Sequence, residues 1–355
     1  MNRLLFNGRF LSRRPTGVDR FAFETLRALA VKDADSRPIQ VVVPVTASIP
    51  DGRTIQGASL VRHGRLGGHA WEQIELAWHD EEKTLISLCN TGPIARTNQV
   101  AVIHDAAIFD TPDNYSTQFR VWYRFLFAGL EKRCRKIATV SRFSADRLAH
   151  HLGTASSRFT VLPESGEHIL RQPPDNKILE RLGVGDRPFV LTVGSTSRNK
   201  NMRAVVDAMP LIRSLSATLV VTGGFDSRVF ASGGSIDQRA VVTGYLEDSE
   251  LRSLYEHAAC FVFPSLYEGY GLPPLEAMSC GCPVLSSNRA SMPEVCGSAA
   301  LFFDPTDPAD LSAKLSEILR SSALRAELSE ASRTHASSFR WSDTANALAD
   351  LAELN

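Results

Sequence analysis

Short apolar runs alternate with helical segments along the chain, and past the middle the whole series begins again. In the first series Ile39–Pro44, Thr84–Leu88, Val100–His104 and Ile137–Val140 read as buried strands, and Met1–Arg9 as a short strand running into a polar loop. The helix predicted over Val18–Val31 places Val18, Ala22, Leu26 and Leu29 on one face. Ser141 is placed to cap a helix over Arg142–Leu152. After Phe159–Leu162 comes a stretch rich in Pro, Gly and charge, 163–186, and then new strands at Pro188–Val193, Ala217–Thr222, Ala240–Thr243, Cys260–Phe263 and Pro283–Leu285. Strands that are apolar throughout, each followed by a helix, belong to parallel sheets covered on both faces. A chain of 355 residues is long for one core. The expectation is therefore α/β with two doubly wound parallel-sheet domains, 1–170 and 171–340. The last segment, 341–355, with a helix over Trp341–Leu354, is expected to pack back on the first domain. Asp307 followed by Pro308 marks a further helix start.

Charge narrows the partners. Formal net charge is zero, which gives no global attraction to nucleic acid. Residues 1–170 carry 22 Lys and Arg against 17 Asp and Glu, and the remainder reverses those numbers. A basic first half suits an anionic acceptor or a membrane surface, and ordinary scatter of solvated charge explains it equally well. No apolar run reaches the roughly 18 residues of a membrane helix, and the start does not read as a signal peptide. Six scattered cysteines read as reduced structural thiols, and Cys280-Gly281-Cys282 lacks a second pair at metal-ligand spacing. A cytoplasmic protein without a bound metal is expected.

Ligands of wound sheets sit at the carboxyl ends of strands, and with two sheets the cleft between domains is the natural place. The richest strand-to-helix loop runs from Phe261 to Val284. A buried strand ends at Pro264, Gly269 and Gly271 follow, and a helix is predicted from about Pro273. Glycines let backbone approach a ligand, and a helix N-terminus offers N–H groups to phosphate. Glu268 in the loop and Glu276 one turn into the helix give two carboxylates that can accept hydrogen bonds from sugar and ribose hydroxyls. Alone, two glutamates eight positions apart are a turn residue and a solvated acid; the strand, Gly loop and Pro-led helix favour the binding role. A second such loop is Val193-Gly194-Ser195-Thr196-Ser197-Arg198-Asn199-Lys200-Asn201, where Lys200 can neutralise a diphosphate. A third is Arg14-Pro15-Thr16-Gly17-Val18-Asp19-Arg20, for which a helix cap is the competing explanation. His104 and Asp105 close an apolar strand, a position where a histidine is either packed or in the site.

Together these segments resemble the large retaining glycosyltransferase family 4, of the GT-B fold, in which two Rossmann-like domains face a central cleft. Glu268 and Glu276 match its pair of glutamates. Pro283-Val284-Leu285-Ser286, Met292-Pro293-Glu294-Val295, Phe303-Asp304-Pro305, Thr243-Gly244-Tyr245-Leu246 and the run from Asp248 to Tyr255 continue its pattern. The resemblance implies that Glu276 binds the donor ribose and that Glu268 contacts the transferred sugar. It implies that Gly269, Tyr270, Gly271 and Leu272 meet sugar and phosphate, and that Tyr245 lies near the base. Gly194, Lys200 and Asn201 would serve the diphosphate, with Arg198 as a second charge. Gly17 would approach donor phosphates, and His104 would lie near the donor sugar and the acceptor. Trp71-Glu72-Gln73 and Ser141-Arg142-Phe143-Ser144 also match, read first as packing and capping.

The activity so implied is transfer of a hexosyl group from a nucleotide sugar (GDP-mannose, a UDP-sugar or a dTDP-sugar) to a glycan acceptor. That acceptor is expected to be lipid-linked, in bacterial surface-polysaccharide synthesis, with peripheral contact on the inner membrane face. Retention of configuration follows from the family. Cationic stabilisation of the leaving diphosphate can replace a metal. A sugar-nucleotide epimerase and a non-catalytic sugar-nucleotide sensor remain as alternatives on the same fold.

Overall fold

In the computed structural model the described residues are 4–13, 15–32, 39–50, 52–185, 187–224 and 240–353. Met1–Arg3 of the first expected strand, Arg14 of the glycine loop, Asp186 at the end of the Pro- and Gly-rich stretch and Leu354 of the final helix lie outside them.

The chain forms two compact units, Met1–Glu164 with Trp341–Asn355, and Ser165–Arg340. Strands of the first are β1 (Leu4–Asn7), β2 (Ile39–Val43), β3 (Ala58–Arg62), β4 (Thr84–Ser87), β5 (Gln99–Val102), β6 (Lys136–Thr139) and β7 (Phe159–Val161). Those of the second are β8 (Phe189–Ser195), β9 (Thr218–Gly224), β10 (Ala240–Gly244), β11 (Cys260–Phe263), β12 (Val284–Ser287) and β13 (Ala300–Phe303). The longer helices are α1 (Gly17–Lys32), α2 (Thr117–Arg133), α3 (Arg142–Leu152), α4 (Asp248–His257), α5 (Leu272–Ser279), α6 (Pro308–Arg320), α7 (Ser322–Ala336) and α8 (Trp341–Glu353).

Both sheets are parallel throughout, in the orders β3-β2-β1-β4-β5-β6-β7 and β10-β9-β8-β11-β12-β13. Each order reverses direction once, between β1 and β4 in one sheet and between β8 and β11 in the other. The loops leaving those strands diverge there and open a crevice, which is where doubly wound sheets hold ligands. Strand burial explains the apolar runs: β4, β5, β11 and β12 are buried at every position. β3 has no such run because it is an edge strand with its residues half-buried or exposed, and the sequence reading misses it. β8 extends beyond Val193 and carries Gly194 opposite Gly223 of β9.

The anticipated caps are present. Ser141 Oγ accepts from Ser144 N at the head of α3 and Asp307 Oδ1 accepts from Ala309 N at the head of α6. In the first unit α8 packs on α1, with the Trp341 ring edge-on to Phe21 at 6.0 Å, and Thr344 Oγ1 donates to Pro163 O at 2.5 Å. No described helix is long and apolar enough to cross a membrane.

Candidate active site

The loops after β8 and β11, at the switch point of the second sheet, are joined along their length. Leu266 N donates to Asn199 O at 2.7 Å, and Asn199 Nδ2 donates back to Tyr267 O at 3.3 Å. Asn201 adopts φ of 49°, a left-handed conformation that asparagine tolerates. Its amide donates to Pro264 O at 3.2 Å and Pro305 O at 2.8 Å. Asn201 thus braces the loop that presents Lys200.

Across this seam Lys200 Nζ donates to Glu268 Oε1 at 2.7 Å, and the ammonium sits 5.6 Å from the Phe263 ring centroid. The side chains remain 24% and 13% exposed, so both reach solvent. Arg198 is exposed and forms no ion pair among the described residues, which leaves its charge available.

Beyond Glu268 the backbone is fixed from below by Ser291 Oγ, 3.0 Å from Glu268 O and 2.9 Å from Tyr270 O. Gly271 heads α5 with φ of 113°, and a Cβ there would stand 2.4 Å from Met292 Cε. Only glycine fits. Pro273 and Pro274 have no N–H, so the donors at this helix start are the amides of Gly271 and Leu272, which donate to no described residue. Gly194 packs against Gly223, which has φ of 119° and comes so near that a Cβ on it would stand 2.0 Å from Gly194 O. Tyr245, at the end of β10, is 61% exposed, its hydroxyl where a Cβ on Gly224 would be.

Glu276 differs from Glu268. It is 7% exposed and held from the protein side: His168 Nε2 lies 2.9 Å from Oε1, and Tyr255 OH donates to Oε2 at 3.1 Å. Burial first, then the neighbouring carboxylate, pushes the Tyr255 hydroxyl up, so it stays a donor. The two glutamates eight positions apart therefore have separate partners, one a partly exposed cation and the other a buried pair. Nothing in the sequence pattern marks His168, which lies 108 residues from Glu276, whereas Tyr255 falls on the buried face of α4.

Gly17 and His104 belong to the first unit. Gly17 is the first residue of α1 and has open space where a side chain would be. Asp19 is fully buried, accepting from Thr16 N at 3.0 Å and Thr16 Oγ1 at 2.7 Å and pairing with Arg13 Nη2 at 2.6 Å. Thr16 Oγ1 in turn lies 3.4 Å from Asp19 N, so the loop is a capping box as well as a candidate site. His104 is buried, its ring edge-on to Phe21 at 4.8 Å, with Nε2 2.8 Å from Leu88 O and Nδ1 3.6 Å from Glu164 Oε1. Trp71 is fully buried and donates Nε1–H to His63 O at 2.8 Å. Glu72 accepts from Asn7, Thr91 and Arg9. Among the described residues no group of three His, Cys, Asp or Glu side chains is placed to hold a metal, and the six cysteines are free thiols.

Residues 175–335 match the family model described as glycosyl transferases group 1. The chain is 32% identical over 255 residues to O-antigen chain mannosyltransferase B of Escherichia coli, a match covering 68% of this chain and 66% of that one. It is 30% identical over 235 residues to the serotype-specific mannosyltransferase WbdA of Escherichia coli, covering 63% of this chain and 28% of the other. The matches thus span less than two thirds of those relatives. Among solved structures, Anabaena Alr3699/HepE in complex with UDP and glucose superposes with a TM-score of 0.76 at 15% identity, covering 99% of this chain and 100% of that one. That likeness is one of fold, GT-B, a fold built of two parallel-sheet units.

Proposed function

We propose that this chain, which belongs to the glycosyl transferases group 1 family, moves a mannosyl group from a nucleotide sugar to a growing glycan, with retention of configuration and without a metal. The observation that carries the reading is the Lys200–Glu268 pair at the switch point, flanked by the unpartnered amides of Gly271 and Leu272. As the anomeric C–O bond breaks, negative charge gathers on the diphosphate. Lys200, Arg198 and the two amides supply positive potential there. The acceptor oxygen attacks the same face and its proton passes to the departing phosphate oxygen. Glu268 then orients the sugar, Glu276 the ribose, and Tyr245 packs near the base. In the first unit Gly17 leaves room for the donor phosphates, and His104 shapes the site rather than acting as a base, since Leu88 O already occupies its Nε2.

The names of the relatives, O-antigen chain and serotype-specific mannosyltransferases, support mannose as the sugar and a surface glycan as the acceptor. A lipid-linked acceptor requires peripheral contact with a membrane. One face of α2 supports it: Val121 and Phe125 are 64% and 61% exposed, and Arg124, Lys132 and Arg133 are exposed beside them. Binding of the protein to vesicles containing phosphatidylglycerol, weakened in Val121→Ser/Phe125→Ser, tests that part.

The main test is thermal stabilisation by GDP-, UDP-, dTDP- and ADP-sugars in EDTA, followed by NMR of the product. GDP-mannose raising Tm, and an α-linked mannose in the product, are expected. Lack of response to every sugar nucleotide sinks the reading. Conversion of donor in the absence of acceptor indicates the epimerase instead.

A further inference from the structure

We propose that His168 and Tyr255 are positioning residues that hold the Glu276 carboxylate in the orientation needed to recognise the ribose of the donor nucleotide. The inference rests on the reading of Glu276 as a ribose ligand and adds how that selectivity is produced.

The geometry is a buried clamp. Its three members come from three segments: His168 from the short turn Glu167–Leu170, Tyr255 from α4 and Glu276 from α5. His168 and Tyr255 are almost wholly shielded, at 2% and 0% exposure, and each addresses a different oxygen of the same carboxylate. Glu276 side-chain exposure is 10%, so the carboxylate alone of the three reaches a ligand. An ionised carboxylate accepts at about four lone-pair positions, and the contacts from His168 and Tyr255, on different oxygens, fix its plane. A fixed plane aims both oxygens at once, which suits two vicinal hydroxyls.

The backbone shows that the clamp is built to tight tolerance. Gly166 presses on α5 so closely that a Cβ would stand 2.2 Å from Leu275 O and 2.5 Å from Glu276 N. Ser165 Oγ donates to Phe339 O at 2.8 Å and accepts from Glu167 N at 3.2 Å. The second His168 nitrogen, Nδ1, lies 3.3 Å from Ser165 O, which sets the ring against rotation. A carboxylate free to rotate loses side-chain freedom on binding, and one already held does not, so the clamp acts on affinity for the diol.

The test compares GDP with 2′-deoxy-GDP, and UDP with 2′-deoxy-UDP, by calorimetric titration of the full chain. The variants are His168→Leu, Tyr255→Phe and His168→Gln, the last keeping an N–H donor. Wild type should prefer the ribonucleotide about tenfold or more, as loss of a recognised hydroxyl implies. His168→Leu and Tyr255→Phe should bring that ratio toward one and raise the donor KM with kcat little changed. His168→Gln should restore most of the preference. Should His168→Leu fail to fold, Tyr255→Phe and His168→Gln carry the comparison. Folded variants that keep the wild-type ratio overturn the clamp. A wild type with no ribose preference, yet stabilised by the nucleotide, overturns the reading of Glu276 and the clamp with it.

Discussion

Lys200 and Glu268 stand 68 residues apart in the chain and 2.7 Å apart in space, an ion pair across the two loops of one switch point. The pair stores a choice. On the proposed reading a diphosphate entering here would compete with Glu268 for the same ammonium, so the carboxylate proposed to orient the sugar would also restrain the cation until donor arrives.

From this competition the variants should part in opposite directions. Lys200→Met removes the cation and should lower turnover about 100-fold, the effect of losing one preorganised electrostatic donor. Glu268→Gln frees Lys200 and should tighten binding of GDP or UDP about threefold to tenfold, while turnover falls. Both should melt close to wild type, because a partly exposed pair contributes about 1 kcal/mol or less. Titration calorimetry beside steady-state kinetics reads all three quantities. Weaker diphosphate binding in Glu268→Gln excludes the competition.

Gly271 gives a prediction about backbone alone. Alanine must adopt φ of 113° and meet Met292 Cε at 2.4 Å, so Gly271→Ala should cost about 1–3 kcal/mol and displace the amides of Gly271 and Leu272. Adding Met292→Ala removes the collision and leaves the strained φ. Donor affinity should therefore recover only in part in the double variant. Full recovery of both stability and affinity shows that the collision, and not the conformation, makes glycine necessary here.

Much of this was legible in the sequence for a definite reason. Strands buried on both faces must be apolar throughout, so Cys260–Phe263 is read to the residue, and cap chemistry at Ser141 and Asp307 leaves a local signature. Glu268, Glu276 and Lys200 stand out as candidates because loop, glycine and helix start lie together in sequence. β3 was missed because an edge strand needs no apolar run. His168 leaves no local signature because its contact with Glu276 is long-range, and Asn201 shows its bracing role only once Pro264 and Pro305 are seen around it.

The cysteines offer a check on the cores. Burial pushes the thiols of Cys134, Cys260 and Cys296 up to about 12, so near pH 8 the folded protein holds them protonated and without contact to reagent. Iodoacetamide should leave these three unmodified in the native state and label them on unfolding in guanidinium, as read by peptide mass. Their folded values are raised, so their contribution is complete below the ordinary thiol range and declines as pH rises through it. Rapid native labelling of Cys260 would mean that the second core opens far more readily than its packing implies.

Acid should act through Glu72. Burial alone would raise this carboxyl; the His69 hydrogen bond, the charge of Arg9 and hydrogen bonds from Asn7 and Thr91 together outweigh it and hold it below the usual range. A carboxylate depressed on folding adds stability above its unfolded value, near 4.5, and that stability disappears as pH falls through the lower folded value. Glu72→Gln keeps the shape but leaves Arg9 facing a neutral group, so at pH 7 it should lose about 3 kcal/mol, the scale of breaking a buried pair. Below pH 4 the difference from wild type should shrink, because wild type is by then losing the same charge. Melting curves of both proteins from pH 7 to pH 3.5 measure this, and parallel pH profiles would show that Glu72 is not ionised in the folded chain.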